Sequence, residues 1–172
     1  LGAAIAARTT RIRIGTAVHI LPLGNPLRTA EEAATLDQVS AGRFEFGVGR
    51  SGLPGSYEGY NIPYAESRDR FFECLEVILE AWTKERFSFA GKHYTFDDVC
   101  LVPKPFQSPH PPVRIAANTA STFPVVAGMG FPVFLRLRVP ALSHLPAHVA
   151  ATIRLWHEPQ HAPHPDGPLP LP

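Results

Sequence analysis

The sequence predicts an α/β fold, a parallel sheet backed by helices, and three observations carry that prediction. Strand-like and helix-like periodicities alternate along most of the chain, the order that builds parallel strands joined by crossover helices. One strand pattern, GRFEFGVGRS from Gly42 to Ser51, leaves a helix exit and ends in glycines and one arginine. The clearest helical pattern, Ala65 to Thr83, carries its apolar residues along one side. Open sheet and closed barrel are not separable by pattern alone.

Leu1 to Ala7, LGAAIAA, is alanine-rich and reads as the end of a helix, broken by Thr9 and Thr10. Ile12, Ile14, Thr16, Val18 and Ile20 then form a strand pattern that Pro22, Gly24, Asn25 and Pro26 stop. The next helix starts near Pro26 and carries Glu31 and Glu32 in its early turns, where negative charge suits the dipole. Its apolar side is Ala30, Ala33, Ala34, Leu36 and Val39. Gly42 supplies the left-handed backbone of a helix exit. Arg43 to Val48 is the following strand, with Phe44, Phe46 and Val48 alternating against Arg43, Glu45 and Gly47.

Ser51 to Tyr64 is rich in Gly, Pro, Ser and Tyr and reads as a loop, long enough to point to work on a ligand. In the helix from Ala65 to Thr83, Phe71, Phe72, Leu75, Ile78, Leu79 and Trp82 recur opposite Glu66, Arg70, Glu73, Glu76 and Glu80. Arg86 to Phe96 alternates aromatics around Ala90 and Gly91, the pattern of an inserted β-hairpin. Asp97 to Pro112 is irregular and proline-rich, and leads into a buried strand, Val113 to Ala117. Asn118, Thr119, Ala120, Ser121 and Thr122 follow at the mouth of a helix that runs to about Met129. Phe131 to Leu137 reads as a further strand and Leu145 to His157 as a last amphipathic helix. Beyond it lie six of the nineteen prolines, so little order is expected there.

At 172 residues the chain has the size of one domain with a real core. Sixteen basic against fifteen acidic side chains leave a net charge of +1, so no field drives it onto nucleic acid or a charged membrane. No segment approaches the run of about 20 apolar residues that spans a bilayer. Cys74 and Cys100 lack metal-ligand spacing and an adjacent histidine. Both read as reduced, partly buried residues, which points to the cytosol. Leu1 to Ala7 lacks the basic leader of a signal peptide, and a start without methionine inside a helix suggests an incomplete chain.

Gly47, Gly49 and Gly52 match G-x-G-x-x-G after a strand, the form of a dinucleotide turn. Against that reading, Ser51 to Tyr64 opens no helix, and no acidic residue ends a second strand about 20 positions on. Arg50 offers a planar fork of donors to phosphate oxygens, and the polar cluster at 118–122 combines small hydroxyls with a helix start. Alone, that cluster also reads as helix capping. Together the two lie at the carboxyl ends of strands, the face where α/β folds bind ligands. The eight histidines show no metal-ligand spacing, His19 reads as packed, and no serine or cysteine has a nucleophile elbow or a base beside it. That absence favours a cofactor that brings its own reactivity.

The run from Gly15 to Ser51, GTAVHILPLGNPLRTAEEAATLDQVSAGRFEFGVGRS, resembles the core of the bacterial luciferase-like flavin monooxygenases. Ala116 to Thr122, AANTAST, resembles that family's second flavin-phosphate segment. The pattern LP, a proline at the next helix, LDQ-x-S-x-GRF-x-FG and then an arginine is hard to meet by chance. The similarity covers most of Leu1 to about Leu137 and, more faintly, the last helix with Trp156.

The resemblance implies a (β/α)8 TIM-barrel type of fold, present here as an incomplete barrel of about four to five parallel strands with a β-hairpin insertion. That domain would span residues 1–158, with a poorly ordered proline-rich tail over 159–172. The implied function is an FMN-dependent monooxygenase using reduced flavin and molecular oxygen on a small organic substrate in the cytoplasm. F420-dependent hydride transfer and a truncated, inactive flavin-binding fragment are the alternatives. By the resemblance, Arg50, Thr119 and Thr122 would bind the cofactor phosphate, with Asn118 and Ser121 beside them. Gly49 would lie in the cofactor site where the luciferase α-chain pattern has a cysteine. Ala17 and Val18 fall where the family has a non-proline cis peptide that supports the isoalloxazine ring. The helix from Thr29 to Ser40 lies where relatives pack as dimers, so a homodimer is expected, with a flavin reductase as a further partner. Asn118 replaces an acidic residue of the α-chain pattern, so light emission is not implied. The family's catalytic histidine would precede Leu1 and its last strands would follow Pro172, so no catalytic residue is assigned here.

Overall fold

In the computed structural model, which describes residues 1–117, 119 and 122–134, the chain divides into two units, Leu1–Arg114 and the residues from Ile115 onward. The first unit opens with α1 (Gly2–Arg8), which stops where Thr9 turns extended. The single strand expected from Ile12 to Ile20 is two short pieces, β1 (Ile14–Gly15) and β2 (His19–Ile20), with a cis peptide between Ala17 and Val18 in the gap. Thr16 bridges that gap with its side chain. Its hydroxyl donates to the Gly47 carbonyl at 2.7 Å and accepts the Gly47 N–H at 3.0 Å, so a side chain stands in for the backbone ladder.

Both pieces pair in parallel with β3 (Phe44–Gly49), in the registers Ile14 to Phe44 and His19 to Val48. Between them and β3 runs α2 (Pro26–Val39). Asn25, read from the sequence only as a breaker, caps this helix by accepting the N–H groups of Leu27 and Arg28. The helix exits through Ala41 and Gly42, at φ 52° and 78°.

Alternation sets the core. Phe44, Phe46 and Val48 are each at most 1% exposed. Phe46 packs edge-on against Trp82 with ring centroids 5.3 Å apart, and the Trp82 indole N–H donates to the Ala30 carbonyl at 3.0 Å. Trp82 belongs to α4 (Ser67–Thr83), whose Leu75, Val77, Ile78 and Ala81 are fully buried. Each such large apolar side chain contributes about 1.5–3 kcal/mol.

Three sequence expectations are corrected here. The stretch 51–64 is not all loop: it contains α3 (Gly55–Glu58) and, at its end, one 3-10 turn over Tyr64–Glu66 that leads into α4. Glu73, expected on the solvent side of α4, is only 9% exposed. Its carboxylate accepts the backbone N–H groups of Lys92, His93 and Tyr94, which form the turn of the hairpin β4 (Phe87–Ala90) and β5 (Thr95–Val99). Cys100 is exposed, not partly buried, because alternation past the end of β5 turns it away from the side that Val99 takes; Cys74 is buried as expected. The irregular segment after the hairpin is fastened by Asp37, a fully buried carboxylate that accepts the backbone N–H and side-chain amide of Gln107 at 2.8 and 2.7 Å.

β6 (Val113–Ala116) starts in the first unit, where Phe46 donates to the Pro112 carbonyl just ahead of it, and ends in the second. In the second unit its Ile115 and Ala116 pair in parallel with Val133 and Phe134 of β7 (Val133–Phe134). The crossover between them is α5 (Phe123–Gly128), which buries Phe123, Val126 and Ala127. The described strands β1, β2, β3, β6 and β7 thus pair in parallel, and the described residues form no closed barrel. The remainder of the strand expected to Leu137, the helix expected from Leu145 to His157 and the proline-rich tail lie outside the described residues.

Candidate functional site

The carboxyl end of β3 delivers Gly49 and then Arg50, and Ser51 follows at φ 65°, so the chain turns sharply as soon as the arginine is placed. Arg50 is half-buried. Its Nη1 donates to Ser67 Oγ at 2.9 Å, and its guanidinium lies over the Tyr64 ring, 5.6 Å from the centroid. The Tyr57 hydroxyl donates to the Arg50 carbonyl, and Tyr57 packs edge-on against Tyr64 at 5.3 Å. Burial pushes the Tyr57 phenol above its ordinary pKa, with the Arg50 charge and the Ser67 hydroxyl acting the other way. Among the described residues no carboxylate pairs with Arg50, so a hydroxyl and a ring hold its charge without neutralising it.

The cis peptide at Ala17 and Val18 is seated on the same strand. Thr16 before it is latched to Gly47, and His19 after it pairs with Val48. In the first unit Gly49 and Arg50 thus lie at the carboxyl end of β3, and Ala17 and Val18 in the gap between β1 and β2, whose Ile20 pairs with Gly49. His19 itself is packed: its Nε2 lies 3.5 Å from Thr29 Oγ1 on α2 and its ring 6.2 Å from that of Phe46. Burial lowers its pKa from the ordinary 6.5, with the Glu32 charge opposing.

In the second unit, Thr119 and Thr122 occupy the turn between β6 and α5. Their hydroxyls are 2.7 Å apart, and the Thr122 N–H donates to the Thr119 carbonyl at 3.0 Å. Asn118 and Ser121 lie outside the described residues.

Sequence reasoning missed Tyr57, Tyr64 and Ser67. The signal was present as two tyrosines in the long loop and a serine opening the next helix, but nothing in the spacing ties them to Arg50. Among the described residues no cluster of His, Cys, Asp or Glu forms a metal site, and no helix is long and apolar enough to cross a membrane.

This arrangement can be set beside known proteins. A family model described as luciferase-like monooxygenase matches residues 1–162. The chain belongs to the luciferase-like monooxygenase family. Curated relatives include the uncharacterized protein y4wF of Sinorhizobium fredii, 40% identical over 114 residues that make up 66% of this chain and 33% of that protein. The alkanal monooxygenase alpha chain of the Kryptophanaron alfredi symbiont is 28% identical over 127 residues, 74% of this chain and 36% of its own. The chain thus spans about a third of the length of these relatives.

Among solved structures, the monooxygenase RslO1 from Streptomyces bottropensis is 33% identical with a TM-score of 0.79, over 90% of this chain and 46% of that one. Two others share the fold at lower identity. The oxygenating constituent of the Pseudomonas putida 3,6-diketocamphane monooxygenase, solved in complex with FMN, has a TM-score of 0.74 at 20% identity, over 92% of this chain and 48% of its own. An F420-dependent secondary alcohol dehydrogenase has a TM-score of 0.72 at 19% identity, over 92% and 49%. The α/β fold of this luciferase-like chain is therefore that of TIM-barrel enzymes.

Proposed function

We propose that this luciferase-like chain holds the cofactor of an FMN-dependent monooxygenase that acts with molecular oxygen on a small organic substrate. The observation that carries the reading is the Arg50 fork: half-buried at the end of a parallel strand, oriented by neutral partners and paired with no described carboxylate. A half-buried cation kept unneutralised suits an anionic ligand, and a phosphate monoester matches the paired N–H geometry of a guanidinium. The donor set therefore fits FMN.

In this reading Arg50 grips the phosphate, and Asn118, Thr119, Ser121 and Thr122 are the second cofactor-binding segment that the family resemblance implies. Gly49 admits the cofactor closely because it has no side chain. The Ala17 and Val18 peptide supports the ring system. Bound reduced flavin supplies the electrons that activate oxygen toward the substrate. The FMN complex and the monooxygenase among the solved relatives support this choice of cofactor and reaction. The same reading places the protein in the cytosol as a homodimer packed through its helices, fed by a flavin reductase.

Fluorescence titration tests it. Arg50→Ala should weaken FMN binding about a hundredfold, through loss of two charge-assisted hydrogen bonds. Unchanged affinity would refute the role. Supplying reduced F420 in parallel separates the neighbouring chemistry: its oxidation without oxygen, with no binding of FMN, would replace the monooxygenase reading by hydride transfer.

A further inference from the structure

We infer that Ser67 and Tyr64 are positioning residues that hold the Arg50 fork ready for a phosphate, and so set the preference of this site for phosphorylated over unphosphorylated ligands. The inference rests on the phosphate reading of Arg50 given above. A free arginine side chain is flexible, and a fork that must first be ordered binds more weakly than one ordered in advance. Here two contacts order it. Ser67 Oγ takes Nη1 at 2.9 Å and fixes one corner; the Tyr64 ring beneath the guanidinium fixes its plane.

The holders are themselves held. Tyr64 is buttressed edge-on by Tyr57, which is 1% exposed and bonds back to the Arg50 carbonyl, and Ser67 is fully buried at the start of α4. The chain thus closes a ring of contacts from the backbone of residue 50 through Tyr57 and Tyr64 to its own guanidinium.

Two details separate this from ordinary packing. Ser67 is the first residue of α4, just after the N-cap Glu66, and its buried hydroxyl accepts from Arg50 Nη1. No described group takes Nε or Nη2, the parallel pair of N–H groups that meets two phosphate oxygens side-on. A carboxylate at position 67 would orient the fork equally well but cancel its charge. A hydroxyl and a π-face orient it and leave the charge for the ligand.

The test is a pair of titrations, FMN and riboflavin, on the wild-type chain and four variants, with each variant's folding checked by its melting curve. Wild type should bind FMN more tightly than riboflavin. Ser67→Ala should lower FMN affinity about tenfold and leave riboflavin affinity unchanged, and Ser67→Thr, which keeps the hydroxyl, should restore FMN binding. Tyr64→Leu should lower FMN affinity by about fivefold while Tyr64→Phe retains it, and these half-buried substitutions carry the test if Ser67→Ala fails to fold. A wild-type FMN preference that survives both Ser67→Ala and Tyr64→Leu overturns this inference alone. A wild-type protein that binds the two flavins equally overturns the phosphate-clamp reading as well.

Discussion

At the scale of single residues, His19 makes the clearest statement about solution conditions. Burial against Phe46 and Thr29 lowers its pKa below 6.5, so the unfolded chain binds that proton more readily than the folded one. Its contribution to stability is complete above the unfolded value and is lost as pH falls through the lower folded value. Thermal midpoints should therefore drop as pH goes from about 7.5 to about 5, and His19→Gln should flatten that drop. A slope identical in the variant would show that other groups set it. Arg50 could be singled out as a candidate from the sequence because an arginine after a strand pattern ending in glycines offers a fork of donors where backbone can approach an anion. Its partner Ser67 could not, because it lies 17 positions on, across a loop with no periodicity to indicate which side chains meet.

At the scale of elements, the apolar stripe of α4 was legible through its 3.6-residue repeat, and the hairpin through its aromatic alternation. How the two dock was hidden. A glutamate among charged neighbours on a helix face reads as solvated, yet Glu73 is the clip between them, accepting three backbone N–H groups of the 92–94 turn. Gly91 completes the fit, since a Cβ there would meet Glu73 Oε2 at 2.4 Å and Phe89 at 2.6 Å. The nearby Lys92 to Asp69 ion pair, 2.9 Å but exposed, adds little. Glu73→Ala should therefore cost about 2–3 kcal/mol, by leaving the turn's donors without their acceptor. Denaturant unfolding measures this, and faster amide exchange confined to residues 92–94 would localise it; an unaltered midpoint would show that the clip is dispensable. The break between β1 and β2 was hidden from periodicity, because β-branched alternation runs straight through it and the Thr16 latch is a side-chain event; only the family resemblance pointed to a cis peptide at Ala17 and Val18.

At the scale of the whole molecule, the alternation of strands and helices foretold parallel pairing, and each unit shows it. Family resemblance, carried by two separated segments, supplied what periodicity cannot, the kind of fold those parallel pairs belong to. The contrast between the two cysteines turns the state of the whole first unit into a chemical count. Cys74 is sealed on the buried side of α4 with its thiol pushed up to about 11 by burial, while Cys100 stands in solvent. A maleimide dye should therefore attach once per native chain and twice once the core opens. Mass spectrometry of the adducts along a urea series would read global unfolding directly, and double labelling without denaturant would mean that α4 breathes open in the native protein. The same asymmetry leaves one clean attachment point beside the hairpin, through which the molecule can be tethered or made fluorescent without touching the arginine end of the sheet.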